Sequence, residues 1–238
     1  QLGGPQVCDR VDLSFFTAGS GGAGPTIVSA TFLLLATRVL TFVDGRLTCK
    51  QPWTERRVVD FGAGVGRQAC FLLDNPDVPT TVESLGVANC ASRFGTAPAA
   101  WNRLFAAIKL LPDGLLLNRD AMQRLARFSM PVIRAVDQWV GATNAMRIDA
   151  CRKAGERDGM PDRITLRCVH ADLEDCVGQA TAAFAMEMLR GRSGHSTAEQ
   201  TIAEQTIPAG VWYPAELQAE ARSNILNVAR EQALVWEV

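Results

Sequence analysis

The spacing of hydrophobic residues alternates between strand-like and helix-like stretches along the chain. "RVDLSFFTAG", residues 10–19, alternates as a strand and turns through "GSGGAGP" into an apolar helix. That helix opens the window "TIVSATFLLLATRVLTFV", residues 26–43, whose β-branched tail leads into "VDGR", where Asp44 and Gly45 predict a two-residue hairpin turn. "ERRVVDF" and "ACFLLDNP" are apolar runs of strand length. Helical spacing then takes over: Trp101, Leu104, Phe105, Ile108 and Leu111 recur at threes and fours until Pro112 and Gly114 stop the helix. A second helical region covers residues 119–140, and Pro131 is expected to break or restart it. "NAMRIDACRK" and "DRITLRCVHA" predict an antiparallel pair joined by "AGERDGMP". "DCVGQATAAFAMEMLRG" predicts an apolar helix ended by Gly191, and "AELQAEARSNILNVAREQALV" a polar terminal one. "STAEQTIAEQTIPAG" between them reads as an exposed loop, its doubled AEQTI being too short for a structural repeat.

Strands, helices, a second strand pair and more helices do not make the regular alternation of a doubly wound parallel sheet. The pattern predicts an α+β fold, a mixed or antiparallel sheet with helices packed on it. Residues 1–208 would form the α+β body, and 209–238 a closing segment and helix. In the closing stretch "GVWYPAE", Trp212 and Tyr213 are expected to pack and Pro214 to open the last helix.

Composition narrows the function classes. The chain has 238 residues, 47% hydrophobic and 21% charged, enough for a sizeable core. Its 24 basic and 25 acidic residues are interspersed, so it lacks the electrostatic footprint of a nucleic-acid binder. The cysteines, Cys8, Cys49, Cys70, Cys90, Cys151, Cys168 and Cys176, show no CxxC or Cys/His ligand spacing. They read as free thiols of a reducing compartment, such as the cytosol or an organelle matrix or stroma. Two histidines, His170 and His195, are too few and too scattered for a metal site, so none is expected. Residues 26–43 are about long enough to cross a bilayer, but Arg38 and several Ser and Thr interrupt them. A buried helix followed by a strand is expected there, not membrane insertion. The start at Gln1, without a targeting pattern, reads as a cut, a maturation site or the edge of a piece.

"VVDFGAGVGR", residues 58–67, is the stretch with the most chemical promise. A strand feeds Gly62, Gly64 and Gly66, and Glu83 lies at about the distance where an acid would meet a ribose hydroxyl, as in a methyltransferase that binds adenosylmethionine. Such a site needs a helix directly after the glycines, with its N-terminus facing the cofactor. "RQACFLLDNPDVP" follows instead, and Pro76 and Pro79 leave room for barely two turns. The preferred reading is a bend between two strands.

Five segments together, "SFFTAGSGGAGPTI", "VVDFGAGVGR", "SRFGTAPAAWN", "VGQATAAFAMEMLRG" and "GVWYPAE", resemble in content and order the saccharopine dehydrogenase-like (saccharopine reductase-like) oxidoreductases. The resemblance covers residues 10–217 or so. It implies the α+β domain that follows an N-terminal NAD(P)-binding Rossmann domain, covers the cofactor, and contributes substrate contacts and dimer surface. No strand–GxGxxG–helix unit precedes residue 10, so the resemblance places NAD(P) in a domain missing here and leaves this chain without a cofactor of its own. Alone, the chain is expected to be inactive.

Within what remains, Ser20, Gly21 and Gly22 are either a substrate-binding wall, where glycines let backbone N–H groups approach an anion, or a tight strand-to-helix turn. Arg93 would clamp a substrate carboxylate or, in the blander reading, fix its loop through a salt bridge. Asn102 would face a ligand or solvent, beside a Trp101 expected in the core. His170, next to Asp172, Glu174 and Asp175, is a candidate for acid–base work; alternatively those acids start the following helix. The function expected is the substrate-side domain of such an oxidoreductase. The alternative is a noncatalytic interaction or assembly subunit derived from it, and a methyltransferase is third. Residues 176–191 place apolar side chains around most of a helix, which calls for a partner: the missing Rossmann domain, a second copy or a larger protein assembly.

Overall fold

The strand β1 (Cys8–Ala18) is apolar on both faces near its middle, with Val11 and Leu13 buried on one side and Phe16 on the other, which is what a central strand requires. In this computed structural model residues 8–19, 24–152, 162–190, 207 and 210–237 are described. β1 pairs in parallel with β6 (Asn89–Ala97), itself buried on both faces, and antiparallel with β7 (Thr143–Arg152). β8 (Arg163–His170) and β9 (Val235–Glu237) extend the sheet antiparallel on one side. β2 (Val39–Val43) and β3 (Arg46–Lys50) extend it on the other, giving the order β3-β2-β6-β1-β7-β8-β9. The hairpin of β4 (Arg57–Asp60) and β5 (Arg67–Leu72) joins through β5 to β6. The fold is α+β, with helices packed on a mixed and mostly antiparallel sheet, as the pattern predicts.

The chain divides into two compact units, Gln1–Leu173 with Leu234–Val238, and Glu174–Ala233. The first unit holds the sheet and helices α1 (Pro25–Leu34), α2 (Asp77–Leu85), α3 (Ala99–Ile108), α4 (Asp113–Leu116) and α5 (Arg119–Val140). The predicted β2–β3 turn forms with Asp44 and Gly45 at φ 49° and 75°, the paired left-handed conformation a tight hairpin needs. α5 starts where the Asn118 side chain accepts the Ala121 N–H at 3.0 Å. Its stripe Met122, Ala126, Met130 is buried, and the first two pack with Phe32 of α1 and Leu116. The break expected at Pro131 does not occur. The helix runs through it to Gly141, because proline removes a single N–H while the buried stripe on one side of the helix holds the axis.

The second unit contains most of α6 (Leu173–Arg190) and all of α7 (Ala219–Ala229), closed around Ala183, Leu217, Ala221 and Ile225. The division thus falls at Glu174, whereas the sequence pattern put it at 209, because α6 and α7 share this small core. Three expectations for the C-terminal region are corrected. The last helix ends near Ala229 and Val235–Glu237 is a strand: the Leu234 N–H reaches the Val169 carbonyl at 2.7 Å and starts the ladder on β8. Trp212 and Tyr213, expected to be buried, are more than two-fifths exposed. Pro214 opens a single 3-10 turn, Pro214–Glu216, rather than α7. Gly191, the loop "AGERDGMP", the doubled AEQTI up to Thr206, and Ser20 to Gly22 lie outside the described residues.

The glycine motif is a strand-to-strand bend. β4 and β5 pair antiparallel with Asp60 opposite Arg67, and the six residues between them close on themselves. Phe61 N–H donates to the Gly66 carbonyl (3.0 Å), Gly66 N–H to that of Gly62 (2.8 Å), and Gly62 N–H to the Asp60 carboxylate (3.0 Å). Gly62, Gly64 and Gly66 have φ of 85°, 84° and 68°, conformations that a Cβ penalises. Phe61 is fully buried against Phe16, Cys70, Ala145 and Val169, so the bend pins the hairpin to the sheet. A Cβ at Gly64 would meet nothing within 4 Å, so Gly64→Ala should cost only the backbone strain, about 1 kcal/mol. Thermal melts of the variant should show a drop of about 3 °C. An unchanged melt accompanied by loss of a ligand would reverse this reading.

Candidate functional site

The C-terminal ends of the parallel pair β1 and β6 place Thr17 and Thr96 side by side in register. Around them the first unit encloses a cavity of about 220 Å³. Gly19 and Phe94 complete the strand side; Ile27, Val28, Thr31 and Phe32 of α1, Trp101, Leu104 and Phe105 of α3, Ser129, Ile133 and Asp137 of α5, and Leu173 form the rest. Ile27 and Leu104, half-exposed, mark its rim. Gly19 belongs there for a steric reason. Its φ is 65°, and a Cβ would lie 2.4 Å from the Gly141 carbonyl oxygen and 2.9 Å from Asp137 Oδ1. Its N–H holds the Ala97 carbonyl at 3.1 Å and so ties the two strand ends together.

Asn102 is buried and does not line the cavity. It holds Thr96 at two points: Thr96 N–H donates to Asn102 Oδ1 (3.2 Å), and Asn102 Nδ2 donates to the Thr96 carbonyl (2.9 Å). Trp53 Nε1 in turn donates to the Asn102 carbonyl at 2.8 Å, from an indole stacked on Phe71 with ring centroids 4.9 Å apart. Asn102 therefore faces neither a ligand nor solvent, and positions a wall residue instead. Trp101, expected in the core, is part of the wall.

Arg93 lies on the opposite face of the sheet, 2% exposed, with Nη1 3.1 Å from Asp12 and Nη2 3.3 Å from Glu55. The salt-bridge reading describes its geometry, though it fixes strands β6 and β1 rather than a loop. Burial, and then the neighbouring Arg57, pull its pKa down; the two carboxylates pull it back up. His170 follows Asn144 and Thr17 in one cross-strand register row that begins at Thr96. It is buried and outside the cavity lining, and burial lowers its pKa so that the neutral imidazole is favoured. Glu174 and Asp175 occupy the first turn of α6, as their helix-starting reading has it. Ser20, Gly21 and Gly22 fall outside the described residues, next to the Gly19 that does line the cavity.

Beside Arg93, the same face carries a second polar knot. The Asp149 carboxylate accepts from Arg147 (2.9 Å, twice), Arg163 (3.0 Å) and Thr165 (2.6 Å). Burial pushes this carboxyl up, but the hydrogen bonds from Arg147, Thr165 and Arg163 outweigh it and hold its pKa below the ordinary range. A depressed folded value means that its stabilisation is present above the ordinary carboxylate pKa of about 4 and is lost as pH falls through the lower, folded value. Urea melts between about pH 5 and 2.5 should therefore lose stability less steeply in Asp149→Asn than in the parent; parallel slopes would contradict this.

All seven cysteines are free thiols, and burial pushes Cys70 and Cys90 up to about 12 while Cys49 is exposed. A thiol reagent at pH 8 should label Cys49 in the native protein and reach Cys70 and Cys90 only on unfolding. Among the described residues no group of three or more metal-ligating side chains occurs, and no helix is long and apolar enough to cross a membrane.

The spacing signals for the wall residues were present but silent. Val28, Thr31 and Phe32 share one face of α1, and Ser129, Ile133 and Asp137 one face of α5, yet nothing local says that the two faces meet over Thr17 and Thr96. No protein-family model matches the chain, and no curated protein matches its sequence. Among solved structures, the chain is similar to apo histidine-tagged saccharopine dehydrogenase (L-Glu forming) from Saccharomyces cerevisiae, at 6% identity and a TM-score of 0.44. The similarity covers 80% of this chain, which spans 60% of that one, and no residue role transfers across so distant a likeness.

Proposed function

We propose that this chain is the substrate-side domain of a saccharopine dehydrogenase-like, NAD(P)-dependent oxidoreductase. One observation supports the reading. Two of the resembling segments, "SFFTAGSGGAGPTI" and "SRFGTAPAAWN", supply Thr17, Gly19, Ile27, Phe94, Thr96 and Trp101 of a single, mostly apolar cavity at the carboxyl ends of the parallel pair β1 and β6, the kind of concave site that takes small ligands. The dinucleotide itself does not fit this chain's glycine motif, since β5 follows Gly66 where a phosphate site needs a helix N-terminus. The cofactor, which supplies the hydride, is therefore assigned to another domain or chain. The described residues here enclose the substrate, exclude water, and orient it through the hydroxyls around Thr17 and Thr96. His170, outside the lining, is given no step. The test is NADPH fluorescence with the protein isolated from its natural source. Saturable binding by the native protein is expected, and a native protein that never binds NADP(H) or NAD(H) would contradict the proposal.

A second reading, a noncatalytic interaction subunit, is favoured by α6, where Val177, Met186, Met188 and Leu189 are each more than half exposed. Patches of that kind are uncommon on monomers. On this reading the purified chain should self-associate in light scattering or light up a hydrophobic dye; a clean monomer that leaves the dye dark would sink it.

A further inference from the structure

We propose that the outer face of α5 docks on the surface of an anionic lipid membrane. The spacing along the helix separates its two faces. Met122, Ala126 and Met130 are buried, and Ser129, Ile133 and Asp137 belong to the cavity wall. Phe128, Val132, Ala135 and Trp139 follow one another at steps of four, three and four and so share the opposite face. That face is bare: Phe128 is 84% exposed, Val132 59% and Trp139 93%. Single apolar residues on a surface need no explanation, but two aromatic rings in one stripe, about 16 Å long at 1.5 Å per residue, form a patch of the kind that marks an interaction site. The turn leading into α5 adds Leu110 and Leu117, 81% and 55% exposed.

Charge indicates what covers this face. Arg124, Arg127 and Arg134 are exposed and run along one flank of the stripe, with Asp120 the acid in the first turn of the same helix. Residues 99–140 carry six basic and three acidic side chains, a net +3 in a chain whose total is −1. Aromatic rings beside arginines suit a bilayer surface. The rings enter the boundary between headgroups and acyl chains, while the guanidinium groups, on long apolar stems, stay level with the anionic headgroups. A second copy of the chain fits less well, since antiparallel pairing of two such stripes would set the arginine flank against itself. The contact is one of surface: among the described residues no helix is long and apolar enough to cross a bilayer.

The experiment is cosedimentation of the 238-residue chain with vesicles of phosphatidylcholine alone and of phosphatidylcholine and phosphatidylserine in equal parts. The mixed vesicles should bind the chain at least about tenfold more tightly than the neutral ones, and added salt should weaken that binding. Arg124→Gln, Arg127→Gln and Arg134→Gln together should abolish the preference, each basic residue at an anionic surface contributing about fivefold. Phe128→Ser combined with Trp139→Ser should weaken binding to the mixed vesicles at least about tenfold. These five side chains are exposed, so the variants should fold as the parent does, which circular dichroism checks. Should the serine pair fail to fold, Trp139→Gln alone is the substitute and should weaken binding about fivefold. Met186→Ser with Met188→Ser, on the exposed surface of α6, should leave binding unchanged. A parent that binds neither vesicle, or both equally, overturns the proposal, as does full binding by a folded Trp139 variant or loss of binding in the α6 variant alone. Self-association through Trp139 without vesicle binding would make the face a protein interface and overturn it too.

Discussion

Gly95→Ala is expected to destabilise the first unit by about 3 kcal/mol or more. A Cβ on Gly95 would sit 2.3 Å from the Ala69 carbonyl oxygen and 3.0 Å from Cys70 Sγ. The first of these neighbours is backbone, in the strand next to Gly95 and held by the β4 pairing, so it cannot rotate away as a side chain would. Overpacking of this kind ordinarily costs 1–3 kcal/mol even where side chains can move, hence the higher figure. In a domain of this size that corresponds to a melting temperature lower by roughly 10 °C. A variant that melts within about 2 °C of the parent would show that β5 does not cross β6 at this separation.

Asp12→Ala is expected to cost about 3 kcal/mol, much more than removing an ordinary surface acid. Arg93 would then be left 2% exposed with only Glu55, itself 42% exposed, to answer its charge, and a buried cation stripped of a partner typically loses 3–5 kcal/mol. The lower end is expected because Glu55 remains. Arg93→Met combined with Asp12→Leu should recover most of the loss, since apolar groups of similar volume leave no charge to satisfy. If the double variant is as unstable as Asp12→Ala, the cost lies in packing and the ion pair is not its cause.

Much of the fold was written locally. The Asp44–Gly45 turn and the strand-to-strand bend at Gly62, Gly64 and Gly66 depend on neighbours within a few residues, and the pattern specifies them; the β7–β8 pair was legible as two successive runs of strand length. What failed depends on distant partners. Pro131 is tolerated because a buried stripe carries the helix past it, and β9 forms only because β8 offers an open edge to Val235–Glu237. The cavity lay beyond local reading for the same reason: its wall comes from strands and helices far apart in sequence. Arg93 was read as a loop residue, because nothing local marks Asn89–Ala97 as a central strand, and the face of β6 it takes separates an ion pair from a substrate clamp. Gly95, two residues on, carried no signal at all; its need for hydrogen is set by Ala69.

The proposed function divides the labour between a ligand cavity in this chain and a nucleotide site elsewhere, with "VVDFGAGVGR" a structural bend. Calorimetric titration of the 238-residue chain with NADPH, and separately with adenosylmethionine, tests it most directly. No saturable heat is expected for either at micromolar concentrations; saturable micromolar binding of either one would overturn the reading of the bend.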